Sequence, residues 1–344
     1  MQTMKVLVMG TGSYYQKKKA GLKGDIIAFV DNFKEGEYEG KEIIRPVDIS
    51  KYSYDRIYIM SVHFISMGYQ LLELGVAREK IYFGANTEPY NDFERNFISE
   101  NNQIVINVDN KICYKTPEIE IAVNTFDELY GVKDIFWENT YRFSVSENKK
   151  KIVIDIGSNI GASCAYFAQF DNVEEIYGYE PFTETYKLAS YNLSKYNNVH
   201  LKQCAIGTEE KKETVLFNPG MTCGMSVINE VNEHAHKMYG SWGYIKEDEN
   251  VEETIQIIDV VKECSELFEK HKNMEFVLKM DCEGSEYEIL EKMNNSNILK
   301  QFKVIMLEWH YKDASIIEKY LKENGFSFFS FNKNNNMGTI YGIR

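Results

Sequence analysis

Short apolar runs punctuate this chain, and stretches of helical length separate them. Lys5 to Met9 reads as a buried parallel strand closed by Gly10-Thr11-Gly12, with a short helix to about Leu22. A second run, Ile26 to Val30, ends in Asp31-Asn32. Arg56 to Met60 follows as a strand, Phe64 to Leu74 as a helix and Lys80 to Phe83 as a strand. Such alternation predicts a doubly wound parallel sheet. The rhythm then breaks. QIVINVDNKICYKT predicts a hairpin turning near Asp109-Asn110-Lys111, and the amphipathic stretch Ile119 to Phe136 predicts one helix. The polar run Ser146 to Lys151 leads into a stronger restart.

From residue 151, KIVIDIGSNIGASCAYFA predicts strand, glycine turn and helix; EEIYGYEP a second strand; Thr183 to Tyr196 a second helix; and VHLKQCAIG a third strand. Glu213 to Phe217 and Thr254 to Ile258 are β-prone. MEFVLKMD and Phe302 to Glu308 add strands, Ala314 to Asn324 a helix, and Phe326 to Phe331 with Gly338 to Ile343 a closing hairpin around NKNNN. The expected class is α/β, with two Rossmann-like doubly wound domains. The second has the class I methyltransferase outline, a parallel sheet ended by an antiparallel hairpin. The expected divisions are a small domain at 1–84, a connector at 85–150 and a catalytic domain at 151–344.

Composition narrows the partners. A net charge of −13 suits neither duplex DNA nor an anionic membrane, both of which need a cationic footprint. Six cysteines form no CxxC pair and no zinc spacing, so reduced thiols in the cytoplasm are expected. No run approaches the roughly 18 apolar residues of a membrane span. A soluble, intracellular protein is the resulting expectation, with no nucleic acid and no membrane insertion.

Two glycine turns carry candidate chemistry. In the first, Asp31 falls 21 residues after Gly10, near the spacing for an acid on a ribose hydroxyl. Tyr15 stands where the third glycine of a dinucleotide motif belongs. Gly10, Gly12 and Asp31 are therefore candidates for holding a nucleotide or nucleotide sugar, against the alternative of an empty crevice. The second turn is Asp155-Ile156-Gly157-Ser158-Asn159-Ile160-Gly161. Its GxxxG spacing lacks the diphosphate pattern, and Asp155 would repel a phosphate but accept a sulfonium. Glu180 ends the next strand 23 residues after Gly157, placed to accept both ribose hydroxyls, and Pro181 stops that strand. A nucleoside with a cationic, phosphate-free tail is S-adenosylmethionine.

The blocks VIDIGSNIGAS, YGYEP, QCAIG, GMSV, KMDCEGSEYEIL and IMLEWH, spanning about residues 150 to 310, resemble the FkbM family of S-adenosylmethionine-dependent methyltransferases. That resemblance implies O-methylation of a hydroxyl on a sugar, glycan or polyketide-like product. By position, Asp155, Gly157, Ser158, Asn159 and Gly161 would line the methionine part, Glu180 the ribose, and Cys204-Ala205 the adenine. Residues 1 to 84 lie outside the shared domain and resemble the nucleotide-sugar-binding type attached to some bacterial glycan enzymes.

KMDCEGSEYEIL packs four carboxylates into eight residues. Ser285 and Glu288 fit a capping box, and Glu286 suits a helix first turn. Asp281 and Glu283 have no such explanation and should face the crevice. Glu308 and His310 end the next strand and should reach it too. Asp281, Glu283 or His310 could be the general base for an attacking hydroxyl. The three could also hold a divalent metal, but metal-free base catalysis is preferred and no metal is expected. Tyr141, and Ser226 within the segment Gly220 to Ser226, could close over the acceptor. The aromatics Tyr239, Trp242 and Tyr244 could stack on a sugar ring or equally anchor the packing of their loop, whereas His234 and His236 read as surface residues. A nicotinamide-dependent oxidoreductase or epimerase built on the first half, and a non-catalytic binding role, are the alternatives.

Overall fold

The computed structural model describes residues 3–61, 63–84, 103–142, 149–218, 222–229, 231–232, 250–334 and 336–344. The chain divides into two compact units, Met1–Leu129 and Tyr130–Arg344.

In the first unit β1 (Lys5–Met9) and β2 (Asp25–Val30) follow one another around α1 (Ser13–Lys18). Next come β3 (Gly36–Tyr38), β4 (Lys41–Ile44), β5 (Arg56–Ile59), α2 (Phe64–Glu73) and β6 (Ile81–Phe83). They build a six-stranded sheet of order β3-β4-β2-β1-β5-β6, in which only β3 runs antiparallel to its neighbour. The β3-β4 hairpin was not anticipated. Its turn, Glu39-Gly40, has φ of +50° and +73°, the primed geometry that matches strand twist. A second sheet joins β7 (Gln103–Ile106), β8 (Ile112–Lys115) and β9 (Glu120–Ala122) in antiparallel order. The hairpin expected there is present. The single helix expected over Ile119 to Phe136 is not: β9 occupies its start, and α3 runs Phe126–Phe136 across the division between units.

In the second unit the elements up to residue 217 are β10 (Lys151–Ile156), α4 (Ala162–Phe167), β11 (Val173–Tyr179), α5 (Thr183–Leu193), β12 (Val199–Lys202), β13 (Ala205–Gly207) and β14 (Lys211–Phe217). From residue 251 come β15 (Val251–Asp259), α6 (Val260–Lys270), β16 (Glu275–Met280), α7 (Glu286–Asn295), β17 (Phe302–His310), α8 (Ser315–Glu323), β18 (Ser327–Asn334) and β19 (Met337–Ile343). The main sheet has the order β12-β11-β10-β16-β17-β19-β18, with the last two antiparallel. Numbering its strands from one to seven gives 3-2-1-4-5-7-6, the class I methyltransferase order. Every residue of β10 is buried, as a central parallel strand covered on both faces requires.

VHLKQCAIG, read as one strand, splits in two: β12 stays in the main sheet, while β13 joins β15 and β14 in a small sheet. The sequence reading also missed α6. Its signal was present: Val260, Cys264 and Leu267 share one buried face, and the Asp259 carboxylate caps the helix by accepting Val261 N at 2.8 Å and Lys262 N at 3.1 Å.

Candidate active site

The turn after β10 is bonded to both neighbouring strands. Gly157 N and Ser158 N donate to the Tyr179 carbonyl at 3.1 and 3.0 Å, and Asp281 N donates to the Ile156 carbonyl at 3.0 Å. Gly157 has φ +78°, and a Cβ there would stand 1.8 Å from the Asp281 carbonyl oxygen. Only glycine fits. The Ser158 hydroxyl is buried, donating to Asp155 O and accepting from Tyr179 N, each at 3.0 Å. It therefore ties the turn together rather than facing a ligand. Asn159 remains partly exposed, with its amide nitrogen donating to the Thr222 carbonyl at 3.0 Å. Gly161 closes the turn as the residue before α4.

Asp155 is fully buried, and its charge is already met. It lies directly beside Lys279 in the β10–β16 register, and the ammonium sits 3.1 Å from Oδ1. Ser163 Oγ and Cys164 Sγ donate to Oδ2 at 2.5 and 3.1 Å. The expectation that Asp155 offers free charge to a sulfonium is corrected by this partner from the neighbouring strand. Lys279 also donates to the Gly157 carbonyl at 2.6 Å. Burial pulls the ammonium's pKa down, but Asp155 and Asp281 outweigh that and hold it above the ordinary value.

Glu180 is buried at the end of β11. Its Oε2 accepts Asn159 N at 3.0 Å and its Oε1 accepts Phe182 N at 3.1 Å. Each oxygen keeps a second lone pair for a hydroxyl donor. Burial raises its pKa to about 7, against the pull of those two N–H groups and of Lys279. Pro181 is half-buried. Cys204 packs in the core with Tyr179, Val260 and Cys264, and Ala205 packs with Phe182, Phe217 and Met225.

Beyond this turn, β16 and β17 deliver an acidic cluster. Asp281, Glu283 and His310 offer ligand atoms all within 4.8 Å of one another. His310 Nε2 lies 3.7 Å from Glu283 Oε2 and 3.8 Å from Glu308 Oε1, while Nδ1 is 3.0 Å from Glu286 Oε1. Burial alone would favour the neutral ring. Glu283 and Glu286 reverse that and raise its pKa to about 10. Burial likewise lifts Glu283 well above the usual carboxylate range, His310 opposing and Asp281 adding to the rise. Glu308 is raised by burial and by Asp281, though Lys333 Nζ donates to it at 2.8 Å. The Tyr141 hydroxyl lies 3.4 Å from Asp281 Oδ2. Burial and then the Asp281 charge hold that phenol protonated, as a donor.

The expected capping box does not form. Ser285 is helical and makes no cap bond, so the turn's N–H groups go to Glu286 instead: Cys282 N at 3.2 Å and Gly284 N at 2.8 Å. Sequence reasoning missed Lys279, Glu286 and Lys333. The first two lie inside the KMDCEGSEYEIL block, but their partners are distant in sequence.

Other expected site residues are occupied structurally. Ser226 is buried, its N–H bonded to Asn232 and its hydroxyl to Ile228 N. In the first unit, Asp31 Oδ1 accepts Phe33 N and Lys34 N at 3.0 and 3.1 Å, and Oδ2 accepts the Thr11 hydroxyl at 3.2 Å. A Cβ on Gly10 would meet the Met60 carbonyl at 2.8 Å, whereas one on Gly12 would meet nothing within 4 Å. Gly220, His234, His236, Tyr239, Trp242 and Tyr244 lie outside the described residues.

A family model described as the methyltransferase FkbM domain matches residues 155–328. One described as C2185-like, N-terminal, matches residues 2–82. No curated protein matches the chain. Among solved structures, the chain is similar to methyltransferase FkbM from Methylobacillus flagellatus KT at 13% identity and a TM-score of 0.37, over 98% of this chain and 90% of that one. It is similar to precorrin-6y C5,15-methyltransferase from Geobacter metallireducens GS-15 at 13% identity and a TM-score of 0.32, over 66% and 95%. It is similar to M. jannaschii TYW2 in complex with AdoMet at 12% identity and a TM-score of 0.33, over 67% and 84%. Likeness this slight transfers no function. The FkbM domain match is different in kind, because it spans just over half of the chain and starts at Asp155, where β10 gives way to its glycine turn: the chain belongs to the FkbM methyltransferase family, and S-adenosylmethionine is its methyl donor.

Proposed function

We propose that this chain is an O-methyltransferase acting on a hydroxyl of a sugar or glycan precursor, with Asp281 as general base. One observation carries the reading. Asp281 walls the glycine turn with its backbone and enters the acidic cluster with its carboxylate, so a single residue joins donor and acceptor sides. S-adenosylmethionine supplies an electrophilic methyl group there. Glu180 would hold its ribose, while Gly157, Asn159 and Pro181 would lie along it. Cys204 and Ala205 would contribute the apolar floor for its base. Asp155 and Lys279 act through the turn's shape. Lys279, the cation bonded to the Gly157 carbonyl, is already paired with Asp155 and so is not offered to a diphosphate.

Among the three candidate bases, Glu283 and Glu286 hold the His310 ring above the ordinary imidazole range, and burial lifts Glu283 above the usual carboxylate range with His310 opposing. That leaves Asp281 to take the hydroxyl proton, with Tyr141 fixing its orientation. With the imidazolium supplying positive charge inside the cluster, the reaction is read as metal-free. The nicotinamide alternative finds no support at Asp31, whose two oxygens already serve its own turn.

Asp281→Asn preserves the side chain's outline but not its basicity. It is expected to bind S-adenosylmethionine as the native chain does, by isothermal titration, and to lose about 10²–10⁴-fold in tritiated-methyl transfer to a cell saccharide fraction. Near-native transfer would sink the assignment of Asp281. For the acceptor class, glycans from cells with and without this chain should differ by one methyl mass, and identical spectra would reject it.

Glu180 gives a pH prediction. Its carboxylate must be ionised to accept two hydroxyls, and its pKa in the empty site is about 7. Above pH 8 the group is ready; at pH 6 a proton must first leave. Cofactor affinity should therefore weaken up to about tenfold from pH 8 to pH 6. Glu180→Gln should flatten that slope, and a flat profile in the native chain would contradict the ribose role.

A further inference from the structure

We propose that Glu286 is the positioning residue of this site, fixing at once the His310 ring and the turn that aims Glu283. The role rests on reading the acidic cluster as the active site.

Glu286 opens α7 and is fully buried. A buried carboxylate is costly unless its oxygens find donors. Three converge on it. Oε1 accepts Cys282 N at 3.2 Å and faces His310 Nδ1 at 3.0 Å, while Oε2 accepts Gly284 N at 2.8 Å. The two backbone donors flank Glu283, which has φ +51° and is followed by Gly284 at +104°. A non-glycine residue in that region costs about 1–2 kcal/mol. The Glu286 carboxylate offsets this by gathering the N–H groups on either side. Glu283 is thereby presented to the cluster instead of relaxing into an extended loop.

The third contact fixes a ring. A carboxylate already accepting two N–H groups has no proton to offer, so Nδ1 must carry the hydrogen. Nε2 is then turned toward Glu283 and Glu308. A carboxylate behind a histidine sets tautomer and orientation in the same way in nucleophile triads. Among the described residues, the groups facing His310 are Asp281, Glu283 and Glu286 from the β16–α7 turn, Glu308 from its own strand and the adjoining Tyr311. Lys333 reaches Glu308 from β18. Four carboxylates against one lysine favour the cationic ring, and Glu286 is the one in hydrogen-bond contact with it.

Long-range proton–nitrogen NMR on the intact, histidine-labelled chain tests this, with the His310 signals identified by their loss in His310→Asn. In the native chain Nδ1 should keep its proton from pH 6 to pH 9. In Glu286→Gln the ring's proton affinity should fall at least about tenfold, one pH unit in midpoint, with the Nε2–H tautomer appearing on deprotonation. A merely structural role would lower the melting temperature and leave tautomer and midpoint alone. An unchanged midpoint in the variant, or a native ring without Nδ1–H at pH 7, overturns the proposal. If the variant does not fold, the native spectrum alone decides. Adding S-adenosylmethionine to the native sample separates the two readings: absent binding rejects the methyltransferase site, while the spectra still judge the Glu286–His310 contact.

Discussion

Lys279→Met is expected to lower stability by about 3–5 kcal/mol and to abolish measurable S-adenosylmethionine binding. Lys279 and Asp155 are almost wholly inaccessible to water, and each is the other's counter-charge at 3.1 Å. Methionine restores the bulk but leaves the Asp155 carboxylate buried with, among the described residues, Ser163 and Cys164 as its side-chain donors. An uncompensated buried charge is far more costly than an absent pair. The same ammonium holds the Gly157 carbonyl at 2.6 Å, so the turn loses its tether as the charge loses its partner. Each kcal/mol moves the midpoint of a unit this size by about 2–4 °C. A melting temperature within a degree or two of native would refute the account. A cycle isolates the cause: adding Asp155→Asn to Lys279→Met should recover part of the loss, because the stranded charge is then gone. Simple additivity of the two single losses would mean that charge pairing is not what the lysine supplies.

The same pair shows where local pattern ends. The strands KIVIDI, FVLKM and IMLEW were legible because a parallel strand buried on both faces reads as an unbroken apolar run. The acid at the end of KIVIDI was legible as well. Its partner was not, because Lys279 meets it through the register between β10 and β16, across more than a hundred intervening residues. Asp155 therefore looked like a free charge awaiting a cation. Ser285 failed for a related reason. Local spacing proposed a capping box, but the buried His310 ring and the turn's N–H groups drew Glu286 into that place. His310 was legible as a site residue and misleading as a base, since a neutral-range pKa presumes ordinary surroundings and four carboxylates are not ordinary. The missed β3–β4 hairpin and α6 are different in kind. Glu39-Gly40, and Asp259 before a helical apolar spacing, were readable signals.

Gly157→Ala should be nearly as damaging, and by geometry alone. The added Cβ would stand 1.8 Å from the Asp281 carbonyl oxygen and 2.9 Å from its carbon, both backbone atoms held by the β10–β16 ladder. A flexible side chain could step aside; here the two strand ends must part. The residue also sits at φ +78°, which alanine occupies only under strain. Parting the strands moves Asp281 away from the turn, so cofactor affinity should fall by at least about 100-fold, since small displacements at a positioned site carry penalties of that order. Gly12→Ala is the matched control. Its backbone has φ −81° and no atom lies within 4 Å of the added methyl, so melting temperature and cofactor affinity should stay at native values. Should Gly157→Ala titrate with S-adenosylmethionine like the native chain, the close approach of these two strand ends is not what shapes the cofactor site.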